Sequence, residues 1–499
     1  MPEYLSPGVY VEEIPSAVQP IAGVSTSTAA FIGIVPDTVQ IPTGVNPTYD
    51  KTKAVTPENL PFQSWTFPFP TEAPDATNPF ATASFKSFTA AQAAVNSPDL
   101  VPVDGDQPAV ASDKARKLRS AQKNLAPFTA YLASGTMADE NVPVLCTSFS
   151  DFKRSFGGFS ADALVVDSTK GQLNFDSIVK TVTTQNWLAH AVYGFFDNGG
   201  TRCWVMRAAT LENLRGPEFL SPLEAIDEIS LVAAPGVLDK AVQGNIIDYC
   251  ERLTSCFAIL DGPVLGENDN VDTAHIVVNV TNTDYAALYF PWIKVFDPAT
   301  QAMNPGGDGE ILCPPSGHVA GIYSRVDHER GVFKAPANEV IRGALELDIH
   351  VSRSQQDGLN PDGVNCIRFI NNDFKVWGAR TIGGDANEDL KYLSVRRTLI
   401  FLRESIDRGT QWAVFEPNDR SLWAKITRNV SAFLTMVWQD GALFGSSPQE
   451  AYYVKCDDET NPPENRELGM VTTEIGVAIV RPAEFVIFRI SQWQPTANS

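Results

Sequence analysis

The sequence predicts a mixed α/β protein built from several domains. The chain has 499 residues, and at roughly 150 residues per domain this length suggests about three domains. From residue 147 onward, short apolar runs alternate with segments of helical period, which is typical of an α/β domain. The stretch 36–140 differs from the rest of the chain, because it holds 13 of the 35 prolines and only 3 of the 34 glycines. We expect this stretch to form an inserted, irregular surface module.

The composition excludes several classes of function. There are 59 acidic and 38 basic side chains, which gives a net charge of −21. Such a surface repels phosphate groups, so we expect no nucleic-acid binding and no docking on anionic lipid. No apolar run approaches the roughly 18–20 residues that span a bilayer, so stable membrane insertion is not expected. The first residues lack the pattern of a secretion signal, which favours folding in the cytoplasm.

The start of the chain contains two β-prone segments. Residues 9–14 are bounded by Pro7 and Pro15, and a strand between two prolines does not easily form a hairpin with the next segment of the chain. Its partner must therefore be distant in the sequence or on another molecule. Residues 25–33 predict a second strand, which is buried.

The middle of the chain predicts alternating helices and strands. Residues 147–158 are typical of a short helix that is capped at its start and stopped by glycine. Residues 185–196 have a helical period. Apolar runs at 202–207, 229–234 and 256–260 predict strands, with helical passages between them.

The last third predicts two long helices. Asp385 and Glu388 have the spacing of a capping box, so we expect a helix from Asp385 to about Arg408. A second helix is expected to start at Asn418 and to end at Gly441. Its apolar side chains recur every three or four residues, as on one face of a helix; they are Leu422, Ile426, Val430, Phe433 and Val437.

The end of the chain predicts two strands, at 474–480 and 484–490, joined by a turn at 481–483. The seven cysteines contain no CxxC pair, which argues against a zinc site and favours buried thiols.

Catalytic signatures are nearly absent, and no cofactor or metal site is predicted. The sequence contains no HExxH, GxSxG, GxGxxG or Walker-type motif. One alternative remains open, a soluble α/β hydrolase that uses Ser316, His328 and Asp327, with His318 nearby in the sequence. A monomeric adhesin or surface-layer protein is a second alternative, although such a protein should be exported.

Eight segments, in this order, resemble the contractile tail sheath family of phages and related injection systems. They are Tyr4–Glu13, Thr26–Gly33, Asp151–Gly158, Phe195–Gly200, Val364–Arg368, Trp377–Thr381, Val395–Arg397 and Phe415–Asp419. The resemblance covers most of 1–35 and 141–499, and the stretch 36–140 departs from it. It implies a structural subunit that stacks in many copies around an inner tube, then rearranges to a shorter helix and drives the tube through a target envelope.

The resemblance also implies a division of the chain into domains. Residues 1–22 would be a β-arm with its linker, and 23–35 plus 341–499 an inner α/β domain with the C-terminal strands. Residues 36–140 would be an outer module, and 141–340 a middle α/β domain. The implied partners are further copies of the chain, the inner tube, and baseplate and cap proteins. Assembly would take place in the cytoplasm, and the product would be a phage tail or an injection particle.

Two sets of residues are candidates for contacts in such a particle. The arm of one copy would pair with the C-terminal strand of a neighbour by β-augmentation. The residues of this strand exchange would be Val9, Tyr10, Val11, Glu12, Ile14, Phe485, Val486, Ile487, Phe488 and Ile490. The helical pair at 386–430 holds eight basic and six acidic side chains, so a basic face is expected to touch an acidic tube. The candidates for this face are Lys391, Arg396, Arg397, Lys425 and Arg428.

Overall fold

The computed structural model describes residues 20–35, 38–45, 62–68, 138–156, 158–159, 165–166, 173–174, 180–266, 269–277, 283–298, 300 and 308–489. The predicted strand at 9–14 and the side chain of Ile490 lie outside these residues. The described chain divides into two compact units. The large unit contains 25–400 and 481–489, and the small unit contains 20–24 and 401–480.

The described strands follow one another along the whole chain. In chain order they are β1 Ala29–Ile34, β2 Thr38–Val45, β3 Phe62–Pro68, β4 Val144–Cys146, β5 Val165–Val166, β6 Leu173–Asn174, β7 Cys203–Ala208, β8 Leu231–Ala233, β9 Phe257–Asp261, β10 Ala286–Phe290, β11 Ile293–Phe296, β12 Glu310–Cys313, β13 Glu339–Val340, β14 Ala344–Leu347, β15 Val364–Ile370, β16 Asp373–Val376, β17 Tyr452–Lys455 and β18 Glu474–Val477.

The described helices lie between these strands. In chain order they are α1 Phe149–Phe156, α2 Lys180–Asp197, α3 Leu211–Arg215, α4 Lys240–Leu253, α5 Thr273–Ile276, α6 Ser316–Arg330, α7 Arg353–Leu359, α8 Leu393–Thr410, α9 Arg420–Gln439, α10 Pro448–Ala451 and α11 Pro463–Glu467.

A nine-stranded sheet forms the centre of the large unit, in the order β13-β16-β15-β10-β9-β8-β1-β7-β4. The six strands from β15 to β7 run parallel, and antiparallel strands complete both sides. Strand β1 lies between β8 and β7, with Phe31 opposite Ala233 and Val205. A strand near the start of the chain is therefore completed by strands that come much later in the sequence.

The two faces of this sheet carry separate apolar cores, because successive side chains of a strand point to opposite faces. Phe31 belongs to the core beneath α2 and α6, and its neighbour Ile32 to the core beneath α4. Helix α4 begins at the cap Asp239, whose carboxylate accepts hydrogen bonds from the N–H groups of Ala241 and Val242. Both faces are thus covered by helices, as a largely parallel sheet requires.

Helices α2 and α6 approach each other closely through two glycines of α6. A Cβ atom on Gly317 would lie 2.4 Å from the Cα atom of Ala191, and one on Gly321 would lie 2.4 Å from the carbonyl oxygen of Phe195. Both contacts are with backbone atoms, which cannot rotate away. This crossing therefore excludes any side chain larger than hydrogen at residues 317 and 321.

In the small unit, α9 packs against the antiparallel pair of β17 and β18. The hydroxyl of Tyr452 on β17 donates to the carbonyl oxygen of Ser431 at 3.0 Å and lies 2.7 Å from the hydroxyl of Thr435. The carboxylate of Asp419 caps α9 by accepting the N–H of Leu422 at 2.8 Å. The five apolar side chains predicted to line one face of this helix are all buried.

Most predicted elements of the regular regions are confirmed. Strand β1, helix α1, helix α2 and strands β7, β8 and β9 lie where the sequence predicts them, within a few residues. The mixed α/β class is confirmed as well. The stretch 36–140, which was predicted to be irregular, contains one described regular feature, the antiparallel pairing of β2 with β3.

The predicted start of the first long helix is wrong. Helix α8 begins at Leu393, not at Asp385, and residues 384–386 form a single 3₁₀ turn. The carboxylate of Asp385 accepts hydrogen bonds from Arg380 and Lys391 instead of capping a helix. Lys391, which lies just before α8, is hydrogen-bonded to an earlier part of the chain. The N–H of Thr381 donates to its carbonyl oxygen at 2.8 Å.

The compact units do not coincide with the predicted domain boundaries. The nine-stranded sheet combines strand β1 and strand β15 with strands of the segment 141–340, while 401–480 forms most of the small unit. The four-part division of the chain stays a prediction about the assembled particle.

The cysteines are free thiols, and six of the seven are buried. Cys456, which follows β17, is the half-buried one. The Sγ atoms of Cys250 and Cys256 lie 3.4 Å apart.

Candidate functional site

The C-terminal tail of the large unit is an exposed apolar segment. Residues 481–489 belong to no helix or strand, so the described part of the strand predicted at 484–490 is paired with no described strand. Phe485, Val486, Ile487 and Phe488 are 70%, 69%, 79% and 84% exposed. A run of four large apolar side chains in water is unfavourable and is typical of a surface that binds another molecule. The strand stays a prediction, and it requires a pairing partner that is not among the described residues.

The tail begins at a fixed point, Glu484. Its carboxylate accepts two hydrogen bonds of 2.8 Å from Arg380 through Nε and Nη2. It also accepts hydrogen bonds from the side-chain amide of Asn360 at 2.7 Å and from the hydroxyl of Tyr392 at 2.9 Å. Burial alone would raise the pKa of Glu484, but these hydrogen bonds outweigh it and lower the pKa below its ordinary value.

The sheet of β17 and β18 has an open edge on β18. The N–H of Ala478 donates to the carbonyl oxygen of Ala451 at 2.8 Å, so the backbone groups of residue 478 face β17. Because backbone groups alternate in direction along a strand, those of Ile475 and Val477 point away from β17. Within the described residues this sheet has two strands. The open edge can therefore accept a further strand.

The described end of the N-terminal linker is fixed to α8 in the small unit. Ile21 is buried, and a Cβ atom on Gly409 would lie 2.6 Å from its side chain. The N–H of Val24 donates to the hydroxyl of Ser405 at 3.1 Å. Ile21 and Val24 thus hold this segment against α8, and any flexible part of the linker must lie before Ile21.

Two of the five candidate tube-facing residues are mostly buried in this structure. Arg397 is 3% exposed and pairs with Asp327, which is 4% exposed. Its guanidinium also donates to the carbonyl oxygen of Thr26 and lies 4.6 Å from the centre of the Tyr323 ring. Arg396 is largely buried, pairs with Asp284 and lies over Tyr285. Both arginines pair with acidic groups of the same chain in this conformation, and of these two acids only Asp327 has an almost fully buried side chain.

The other three candidates differ in exposure. Lys391 is partly exposed and lies 3.3 Å from the carboxylate of Asp385. Lys425 is half-buried and Arg428 is exposed, and both belong to α9. These two side chains are therefore the candidates on which a basic face can still be argued.

The hydrolase alternative is wrong, because its three residues do not meet. Ser316 begins α6, and Asp327 and His328 lie on the same helix eleven and twelve residues later. At a rise of 1.5 Å per residue this separates them by about 16–18 Å. The hydroxyl of Ser316 donates instead to the buried carboxylate of Asp261 at 2.7 Å.

His318 lies on α6 and is fully buried, which leaves no open path for a substrate to reach it in this structure. Burial, and secondly the nearby His190, lowers the pKa of His318 to about 3. Its Nδ1 atom has no hydrogen-bond partner among the described residues. The imidazole is thus a neutral packing group at neutral pH.

Two other kinds of site are absent from the described residues. No group of three or more His, Cys, Asp or Glu side chains among them is arranged to hold a metal ion. No described helix is long and apolar enough to cross a membrane. What the described chain does offer is an exposed apolar tail and an open sheet edge, and both are typical of chains that pair with other chains.

Two models of known protein families match adjoining parts of the chain. The phage tail sheath protein central domain matches residues 213–382, and the phage tail sheath C-terminal domain matches residues 385–492. Together the two matches cover more than half of the chain. The chain belongs to the contractile tail sheath family.

Individual relatives agree with this assignment. A putative prophage major tail sheath protein of Pseudomonas aeruginosa (strain UCBPP-PA14) is 26% identical over 369 residues, which are 71% of this chain and 88% of that protein. The fold is similar to that of a sheath complex in the contracted state from the extracellular contractile injection system PVC, with a TM-score of 0.61, 23% identity and 99% of both chains covered. It is also similar to the contracted helical sheath of the anti-feeding prophage, with a TM-score of 0.59, 23% identity and 97% of this chain and 99% of that chain covered.

The structure also contains a functional candidate that the sequence did not predict, the contact of Arg380 with Glu484. Arg380 is the one charged residue of the segment Trp377–Thr381. A charged residue in an otherwise uncharged segment can indicate a buried ion pair, because charged side chains are rarely buried without a partner. Its acidic partner is 104 residues away, and no sequence pattern identifies a partner at that distance.

Proposed function

We propose that this protein is the structural subunit of a contractile sheath. Many copies polymerise as a helix around an inner tube, and contraction of this helix drives the tube through a target envelope. Membership of the sheath family and the similarity to two contracted sheaths support the proposal. A helix of this kind forms when each copy contacts the next through two different surfaces that do not close into a ring.

The observation that carries the proposal is the exposed tail at Phe485–Phe488 together with the open edge of β18. In the proposed assembly the tail leaves its own copy and becomes a strand in the small-unit sheet of a neighbour. The arm at 9–14 of a further copy joins the same sheet. Main-chain hydrogen bonds then hold the copies together, each contributing roughly 1 kcal/mol net.

Such a linkage suits a structure that changes its length. The strands stay paired while the chain before Ile21 and after Glu484 changes direction. A small preference of each copy for the contracted packing adds up over many copies, and this sum drives contraction without a cofactor. The extended form persists because contacts with the tube and the baseplate hold it in a kinetic trap.

The small unit provides the proposed contact with the tube. Lys425 and Arg428 on α9 form a basic face that attracts an acidic tube surface. Each exposed contact contributes about 0–1 kcal/mol, so the contacts are weak enough to separate during contraction. Baseplate and cap proteins would bind the two ends of the sheath. We place the assembled protein in a phage tail or a phage-tail-like injection particle that is built in the cytoplasm, with 36–140 on its outer side.

Proline substitution in the tail tests the strand exchange. Proline removes a backbone N–H and blocks pairing in a sheet. The tail is paired with no described strand, so folding of the unassembled chain should not change. Val486→Pro and Ile487→Pro alter neighbouring residues, whose N–H groups point in opposite directions. At least one of the two variants should fail to form sheaths when it is produced with its tube protein and viewed by negative-stain electron microscopy.

Val486→Ala and Ile487→Ala are the matched controls, because they shorten the same side chains and keep the backbone N–H. They should form sheaths. Deleting residues 1–15 should likewise leave a folded chain that no longer forms extended sheaths. Normal sheaths from both proline variants would refute the exchange of the tail, and a wild-type protein that stays monomeric beside its tube would refute the sheath function itself.

A further inference from the structure

The structure shows an abrupt change in environment at the base of the tail. Glu484 has four hydrogen bonds from three side chains, whereas Phe485 and the three residues after it are exposed. On the other side of Glu484, the ion pair that Arg481 forms among the described residues is a long contact of 3.6 Å with the well-exposed Asp389. Glu484 is therefore the last firmly held residue before the exposed part of the tail.

Arg380 is itself held from several directions. Besides Glu484, its guanidinium donates to the carboxylate of Asp385 at 3.0 Å and to the carbonyl oxygen of Asn360 at 3.0 Å. Its side chain is only 4% exposed. A guanidinium with two parallel hydrogen bonds to one carboxylate has a fixed geometry, which a lysine cannot reproduce.

The backbone of Arg380 is tied to the central sheet through Asn365 on β15. The N–H of Arg380 donates to the side-chain oxygen of Asn365 at 2.7 Å, and the side-chain amide of Asn365 donates to the carbonyl oxygens of Arg380 and Leu288 at 2.8 and 3.2 Å. Leu288 lies on β10. A continuous chain of hydrogen bonds thus leads from the tail to two central strands of the nine-stranded sheet.

We propose that Arg380 and Glu484 form the mechanical anchor of the C-terminal tail: a neighbour that holds residues 485–489 pulls on Glu484, and Arg380 and Asn365 pass this force into strands β15 and β10. The proposal rests on the strand exchange proposed above and assigns a role to the segments Trp377–Thr381 and Val364–Arg368. Because all four hydrogen bonds end on the carboxylate of Glu484, a pull on the tail acts on them at the same time. The anchor also sets the point from which the tail reaches a neighbouring copy.

Two substitutions remove the anchor while keeping the tail. Glu484→Gln removes the charge, and Arg380→Lys keeps the charge but loses the paired hydrogen bonds. Asp389→Asn is the control, because it removes the other ion pair near the tail, between two exposed groups. A chain that ends at Glu484 lacks the strand-forming residues and separately tests the strand exchange.

The four variants are produced with the tube protein, and the lengths of their sheaths are measured by electron microscopy before and after a fixed shear treatment. Urea unfolding of each unassembled chain is followed in parallel. We expect both anchor variants to assemble and to show only a small fall in the urea midpoint, because Asp385 and the carbonyl oxygen of Asn360 remain as partners of residue 380. Their sheaths should break about ten times more often under shear, which corresponds to about 1.4 kcal/mol at each loaded link. Asp389→Asn should break as rarely as the wild type.

The outcomes separate the two proposals. If the chain ending at Glu484 fails to assemble while both anchor variants break like the wild type, the anchor is refuted and the strand exchange is supported. If the chain ending at Glu484 assembles normally, the strand exchange is refuted, and the anchor has no load to carry. If both anchor variants unfold at much lower urea concentrations, the contact serves folding, and the mechanical role is refuted.

Discussion

Breaking the buried ion pair of Arg397 and Asp327 should lower the free energy of unfolding much more than breaking a surface ion pair. Both side chains are almost fully buried, and the Oδ2 atom of Asp327 also accepts a hydrogen bond of 2.6 Å from Thr26. Removing one partner of a buried ion pair leaves the other charge uncompensated, which costs about 3–5 kcal/mol. We therefore expect Asp327→Asn to lower the free energy of unfolding by about this amount. Arg397→Lys should cost about 1.5–3 kcal/mol, because the charge remains and the paired hydrogen bonds are lost.

The assay is urea unfolding of the unassembled chain at pH 7, followed by tryptophan fluorescence. Arg408→Ala is the control on the same helix, because Arg408 is exposed and its contact with Glu404 is 3.4 Å long. This change should cost less than about 1 kcal/mol. Equal losses for Arg397→Lys and Arg408→Ala would refute the reasoning, and so would an Arg397→Glu variant that unfolds normally but loses the tube.

Three further predictions concern the helix crossing, a buried histidine and the basic face. Gly321→Ala should lower the free energy of unfolding by about 1–3 kcal/mol because its Cβ meets backbone atoms, whereas Gly244→Ala, with open space around it, should raise it by up to about 1 kcal/mol; equal effects in urea unfolding would contradict this. The pKa of His318 is lowered to about 3 in the folded chain. As the pH decreases from about 6.5, the imidazole of the unfolded chain takes up a proton while that of the folded chain stays neutral, so the free energy of unfolding should fall. His318→Leu should remove most of this slope, and an unchanged slope would show that other groups cause it. Lys425→Glu with Arg428→Glu should weaken co-sedimentation with the tube without changing urea unfolding, whereas Lys240→Glu in the large unit should leave both unchanged.

The parts of the fold that the sequence predicts are those in which local pattern and packing agree. The apolar face of α9 is an example, because its spacing of three and four residues is both a helical signal and a buried surface. The wrong start of α8 has the opposite cause. Asp385 and Glu388 have the local pattern of a cap, but Arg380 and Lys391 compete for the carboxylate of Asp385, and the competing partners become visible only in three dimensions.

The candidate site is predicted in part for a similar reason. The apolar character of Phe485–Phe488 predicts a strand, but hydrophobicity does not say whether the partner is the same copy or another. The count of basic residues at 386–430 predicts a positive face, but Arg396 and Arg397 are neutralised by Asp284 and Asp327. These acids are more than 65 residues away in the sequence, so a local count of charges does not include them.

The cysteines of this chain permit a simple optical experiment. Burial raises the pKa of Cys146 and Cys366 to about 12, so these thiols stay protonated and unreactive. Cys456 alone among the seven is partly open to solvent. A maleimide dye should therefore attach to the Sγ atom of Cys456 in the wild-type chain, beside the sheet of the small unit. Energy transfer between dyes on adjacent copies would report the distance between these sheets as a particle shortens.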